Sequence, residues 1–124
     1  MEAIAHAKFQ RCGARKVAQV LDQIRGRSVE RAEKILPLVQ RRATRLVTMT
    51  LRSAKANLQV KAGKKLGPAG MWVRRAWVGQ GPMGHMKRVM PAPMGRAMIF
   101  KRKVCHLTVV VADTPRRAEP ESRV

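Results

Sequence analysis

Acid is what this chain has least of. Seven Asp and Glu stand against 27 Lys and Arg in 124 residues, giving a formal net charge of +20 and a pI near 11.9. So few carboxylates leave little material for paired acid/base catalysis, and an enzyme is not expected. Cysteine is scarcer still. Cys12 and Cys105 cannot build a disulfide framework. Long apolar runs are missing: none exceeds four residues, so no membrane-spanning helix is expected. The opening Met-Glu-Ala-Ile-Ala-His-Ala-Lys has neither the basic n-region nor the apolar h-region of a secretory signal. A reducing compartment is therefore expected. What is present suits one folded domain. Hydrophobic residues make up 45% of this 13.9 kDa chain's residues, too many for a wholly disordered chain.

The charge is unevenly placed. Residues 34–112, a stretch of 79, hold 17 Lys or Arg and no acid. Such a surface repels itself unless a polyanion neutralises it. Nucleic acid is the usual polyanion, and released counterions supply much of its affinity. A merely solvated basic face is the plainer alternative. A membrane-surface protein would concentrate its charge on one amphipathic helix, whereas here it runs along the whole chain.

Periodicity outlines the elements. Residues 2–9 alternate loosely and read as a short strand. Val17, Val20, Leu21 and Ile24 form one face of a helix that Gly26 stops. Arg15, Lys16 and Arg25 lie off that stripe. Ser28 reads as the N-cap of a second helix, with Glu30 and Glu33 in its first turns, Ala32, Ile35 and Leu36 apolar, and Pro37 as its end. The longest helix carries Ala43, Leu46, Val47, Thr50, Leu51, Ala54 and Leu58 at helical spacing. Met71 to Val78 reads as a strand, and residues 97–112 as another. Between them, residues 79–96 hold seven Gly or Pro, the texture of a hairpin with a long irregular arm. Residues 113–124 read as a loose tail.

Several motifs tempt and fail. Gly79-Gln80-Gly81-Pro82-Met83-Gly84 fits G-x-G-x-x-G. However, Pro91 and Pro93 preclude the long helix that would hold phosphate, and no acid follows at the ribose-binding distance. Met83, Met86, Met90, Met94 and Met98, with His85, Cys105 and His106, offer soft ligands. The cations among them would repel a metal ion, and no Cys/His spacing matches a known site, so no metal and no cofactor are expected. His106 reads as a structural residue or a phosphate contact. Trp72 and Trp77 have opposite strand parity, so one is expected in the core and the other on the surface.

Three segments resemble large-subunit ribosomal protein family twenty-two, in its bacterial or organellar form. The first is Ala14-Arg15-Lys16-Val17 leading to Asp22-Gln23-Ile24-Arg25-Gly26. The second joins Ala32–Leu36 to Arg42–Asn57. The third runs Gly81-Pro82, Met86-Lys87-Arg88-Val89-Met90-Pro91, Gly95-Arg96-Ala97, Lys101-Arg102-Lys103, and His106-Leu107-Thr108-Val109-Val110-Val111. Together they cover nearly residues 1–112. The resemblance implies an α+β fold: three helices packed on a small three-stranded antiparallel sheet, with a long protruding β-hairpin at about residues 79–103. It implies binding to 23S rRNA, a part in subunit assembly, neighbouring large-subunit proteins as partners, and residence in the cytoplasmic or an organellar ribosome. The hairpin would line the nascent-peptide exit tunnel and meet the nascent peptide. Changes in it can alter macrolide response.

The implied rRNA contacts are Arg11, Arg15, Lys16, Arg25, Lys87, Arg88, Arg96, Lys101, Arg102, Lys103 and His106. The implied tip comprises Met86, Val89, Met90, Pro91, Ala92, Pro93 and Met94. This chain departs from the family pattern in the loop at residues 63–70, in residues 113–124, which exceed the usual family end, and at four places along the arm. Gly79-Gln80 replaces an acidic pair, and Met83-Gly84-His85 lengthens a turn. Ala92-Pro93-Met94 stands where basic residues are usual, and Met98 where an acid is common. From other classes, a free nucleic-acid chaperone and a soft-metal carrier compete with this reading.

Overall fold

The computed structural model describes residues 1–114; the expected tail beyond Thr114 lies outside them. Strand β1 (Glu2–Gln10) leads to helices α1 (Ala14–Ile24), α2 (Val29–Ile35) and α3 (Ala43–Ala62). Strands β2 (Trp72–Gln80), β3 (Lys87–Pro91), β4 (Ala97–Lys101) and β5 (Cys105–Ala112) follow. The main sheet is antiparallel in the order β1-β5-β2, and β3 and β4 pair only with each other. This is the expected α+β arrangement, with a hairpin separate from the sheet.

Helix α1 forms where its stripe requires: Val17, Val20, Leu21 and Ile24 are fully buried. Gly26 ends it in a left-handed conformation (φ +70°) that any side chain would strain. Its N–H bonds the Val73 carbonyl, and Val73 N–H returns to Arg27, fastening the turn to β2. Ser28 caps α2 through Arg31 N–H at 3.4 Å. Glu30 bonds Lys34 along the helix, whereas Glu33 reaches across to Lys55 of α3 at 2.9 Å.

Pro37 acts differently from the expectation. Leu36 before it stays helical (φ −52°, ψ −43°), and Leu36–Leu38 continue as a 3₁₀ turn. A proline fits the first turn of a helical segment because its missing N–H has no partner there.

The central strand β5 is buried almost throughout because both neighbours and the helices cover it. Cys105, Leu107, Val109 and Val111 join the helix-side core with Ala3, Ala5, Val73 and Ala76. His106, Thr108, Val110 and Ala112 therefore alternate onto the other face, which no helix covers.

The tryptophans correct a parity argument. A register shift between Val73 and Arg75 inserts an extra residue into β2. Val73 and Ala76 both end up buried, and Trp72 and Trp77 both fall on the helix-free face. Neither is core: Trp72 is half-buried and Trp77 is 47% exposed.

Residues 97–112 are likewise two strands, not one. Cys105 onward pairs with β1 and β2, while Ala97–Lys101 pairs with β3. Gly79 and Gln80, expected in the arm, instead extend β2 against His106 and Cys105. The separate arm thus runs from Lys87 to Lys101.

Candidate nucleic-acid interface

The arm meets the body at a narrow root. Gly81 N–H bonds the Val104 carbonyl at 2.7 Å, and Arg102 N–H bonds the Met86 carbonyl at 3.0 Å. No side chain fits at residue 81: a Cβ there would lie 2.8 Å from Val104 Cγ1 and 3.1 Å from its carbonyl oxygen. Beyond the root, Lys87 pairs with Lys101, Arg88 with Phe100, Val89 with Ile99, Met90 with Met98 and Pro91 with Ala97. Five pairs extend the arm by roughly 17 Å. Met94 (φ +60°) and Gly95 (φ +68°) turn the tip, closed by Ala92 N–H to the Arg96 carbonyl at 2.9 Å.

Chain segments far apart in sequence converge at the root on a concave surface of about 640 Å³. The loop between β1 and α1 contributes Arg11, Cys12 and Gly13, and α1 contributes Lys16. Arg41 and Arg42 come from the start of α3. Arg88, Lys101, Arg102 and Lys103 come from the arm and its return. Among the described residues, eight cations and no acid line it. The Arg102 guanidinium lies over the Phe100 ring, 5.3 Å from its centre, which fixes its plane. Helices α1 and α3 both begin there, and neither N-cap makes a side-chain hydrogen bond. Their N-terminal dipoles add to the positive potential.

The described acids lie elsewhere, each in an ion pair. Glu2 pairs with Arg74, Asp22 with Arg25, Glu30 with Lys34, Glu33 with Lys55, and Asp113 with the Met1 amine. None of the eight pocket cations forms an ion pair among the described residues. With no described acid set against them, the cations here can neutralise an extended polyanion. Among the described residues no cluster of His, Cys, Asp and Glu could hold a metal ion. No helix there is long and apolar enough to cross a membrane.

Of the residues singled out from sequence, Arg11, Lys16, Arg88, Lys101, Arg102 and Lys103 meet in this pocket. Met86 joins them, half-buried at the root and not at the tip. Residues 83–86 fold into a turn (Met86 N–H to the Met83 carbonyl, 3.2 Å), so the arm starts one residue later. Val89 lies midway along the arm; Met90 and Pro91 adjoin the tip formed by Ala92, Pro93 and Met94. Lys87 and Arg96 are exposed on the arm, and Arg15 is exposed on α1.

Arg25, exposed at the end of α1, is engaged within the body, with Nε donating to the Ala76 carbonyl at 2.7 Å and the guanidinium paired to Asp22. His106 accepts Phe9 N–H at Nδ1 (3.0 Å) and packs edge-to-face on the Phe9 ring. Arg41, Arg42 and Phe100 were not singled out. The adjacent arginines just before a helical stripe were the available signal.

The comparisons agree with this picture. Residues 5–112 match the family of ribosomal protein L22p/L17e. The large ribosomal subunit protein uL22 of Prochlorococcus marinus (strain AS9601) is 39% identical over 120 residues, covering 97% of this chain and 91% of that protein. Proteins of the same name from Endomicrobium trichonymphae and Desulforamulus reducens are each 43% identical over 113 residues. Those alignments cover 91% of this chain and 93% and 96% of theirs. With nearly the whole described fold inside the matched region, the chain belongs to the ribosomal protein L22p/L17e family, whose members are structural and not enzymatic.

Proposed function

We propose that this protein binds 23S rRNA within the large ribosomal subunit, supports subunit assembly, and lines the nascent-peptide exit tunnel with the tip of its arm. One observation carries the reading: eight cations from three separate chain segments converge, without an acid, where the arm leaves the body. Phosphates held there would fix the direction of the arm. Arg11, Lys16, Arg88, Lys101, Arg102 and Lys103 act as phosphate contacts, joined by Arg41 and Arg42, with Arg15, Lys87 and Arg96 extending the track. Arg25 and His106 position neighbouring backbone.

The arm carries no acid, which spares it repulsion from phosphate, and a passing peptide should not be gripped. Met90, Pro91, Ala92, Pro93 and Met94 at the tip are uncharged, which suits a tunnel wall touched by nascent chains and macrolides. The family also implies neighbouring large-subunit proteins as partners.

Sucrose-gradient sedimentation of lysate in low and then high salt tests the reading. One copy per large subunit, retained in high salt, is expected. Release into the soluble fractions would make the charge a general polyanion affinity, as in a nucleic-acid chaperone. Bulky aromatics at Met90 and Met94 should alter peptide stalling or macrolide response, and wild-type behaviour would count against a tunnel-lining tip.

A further inference from the structure

The chain keeps its few aromatic side chains out of the core, and three of the four gather on the helix-free face of the sheet. Trp72 and Trp77 lie there on β2. Phe9 joins them from β1, its ring 4.7 Å from His106 and at 85° to it. Phe9 is 64% exposed yet holds a left-handed backbone (φ +54°), a conformation that costs a non-glycine residue roughly 1–2 kcal/mol. A register shift between Ala7 and Gln10 creates that conformation. Its N–H and ring both engage His106, so the strain is offset by contacts that still leave the Phe9 ring largely exposed.

Along β5 the rows are regular. Trp77 lies opposite Thr108, which lies opposite His6, whose Nδ1 is 3.0 Å from the Thr108 hydroxyl. In the next row Gly79 lies opposite His106. A Cβ on Gly79 would meet nothing within 4 Å, so open space separates Trp77 from the Phe9–His106 pair. Outer strands of the sheet stand roughly 10 Å apart. Lys8 and Arg75 flank the rings, both exposed. The acid on this face, Glu2, lies at its far end and is paired with Arg74.

We infer that this face is a stacking platform for unpaired RNA bases, with Trp77 taking one base and Phe9 with His106 another, while Lys8 and Arg75 neutralise the intervening phosphates. The inference rests on the RNA-binding reading but adds a second contact surface, read through bases and not phosphates. Exposed aromatics on an open sheet, interleaved with cations, are how single-stranded RNA is held without a groove. A protein partner fits less well, because this face carries the exposed cations Lys8 and Arg75 and, among the described residues, no unpaired acid, which favours an anionic occupant.

Two short probes of equal charge separate the contributions: oligo(A), and a ribose-phosphate chain of the same length lacking bases. In a Trp72→Phe background, oligo(A) should quench Trp77 emission and the abasic chain should not. Trp77→Leu should weaken oligo(A) binding by about 5–100-fold, leave abasic binding and the salt dependence unchanged, and be largely rescued by Trp77→Phe. Photo-crosslinking of the unaltered chain to oligo(A) needs no variant. Adducts at Trp77 or Phe9 support the platform, and adducts confined to the arm overturn it. Equal binding of both probes with Trp77 unquenched overturns the platform, assigns the face to a neighbouring polypeptide, and leaves phosphate binding intact. Binding of neither probe would overturn the RNA reading as well.

Discussion

A single methyl group added at Gly81 probes whether the arm root is as tightly built as its geometry implies. The Cβ of Gly81→Ala would sit 2.8 Å from Val104 Cγ1, closer than carbon atoms tolerate, and 3.1 Å from the Val104 carbonyl oxygen. That carbonyl accepts Gly81 N–H at 2.7 Å, so relieving the clash lengthens the bond that ties β2 to the return strand. Val104 is β-branched and buried, and it cannot swing clear cheaply. Overpacking of this kind costs about 1–3 kcal/mol. At roughly 4–5 °C per kcal/mol for a domain of this size, Tm should fall by about 5–15 °C. The control is Gly79→Ala, two residues earlier on the same strand, where nothing lies within 4 Å; it should change stability by less than about 0.5 kcal/mol. Circular dichroism melts of the two variants beside the parent decide the matter. Equal melting of all three would refute the close approach at the root.

Four further outcomes are expected. Ser28→Ala removes the long cap bond of α2 and should cost about 0.5–1 kcal/mol in denaturant titration; no change would mean the cap is idle. Neutralising Arg102 or Lys103 should each flatten the slope of log affinity for RNA against log salt by about 0.7–0.9, and an unchanged slope would remove that residue from the phosphate track. Burial pushes the Cys105 thiol up, with neighbouring Cys12 adding to it, so a maleimide should label one thiol in the native chain and the second only on unfolding. The bond from Lys34 holds the Glu30 carboxyl below its usual range. Its stabilising contribution is complete at neutral pH and disappears as pH falls through that lowered value. Lys34→Met should return the Glu30 titration, followed by NMR, to the ordinary carboxylate range, and an unmoved midpoint would refute the pairing.

The parts of the fold legible in the sequence are those where one face is buried. Val17, Val20, Leu21 and Ile24 announced α1, and Ala43 to Leu58 announced α3, because burial of a stripe leaves a period. The hairpin left none. Every residue of β3 is exposed, so no alternation marks it, and the surrounding Gly and Pro read as loop. The inserted residue in β2 was equally silent: a bulge leaves composition unchanged and reverses every later side chain, which is how the tryptophans came to share a face. At the root, Lys101-Arg102-Lys103 was visible as a cluster. That Arg41 and Arg42 would join it depended on packing α3 across β1 and β5, a long-range fact absent from any local window.

The placement of the scarce acids ties these observations together. Each described acid stabilises the body: Glu33 links α2 to α3, Glu2 links β1 to β2, and Asp22 holds the arginine that braces Ala76. The arm receives none. Lys87 faces Lys101 across its first pair, an arrangement that destabilises a ladder. Val89, Met90, Met98 and Ile99 stay exposed on a two-stranded hairpin that is marginal in water. A Glu opposite either lysine would replace that repulsion by a cross-strand ion pair but would repel a phosphate nearby. The body is thus held by a buried core and ion pairs, whereas the arm's like-charged pair and exposed apolar residues leave it marginal by itself. At the root, eight cations gather beside Val104, whose carbonyl accepts the Gly81 N–H that ties the start of the arm to its return.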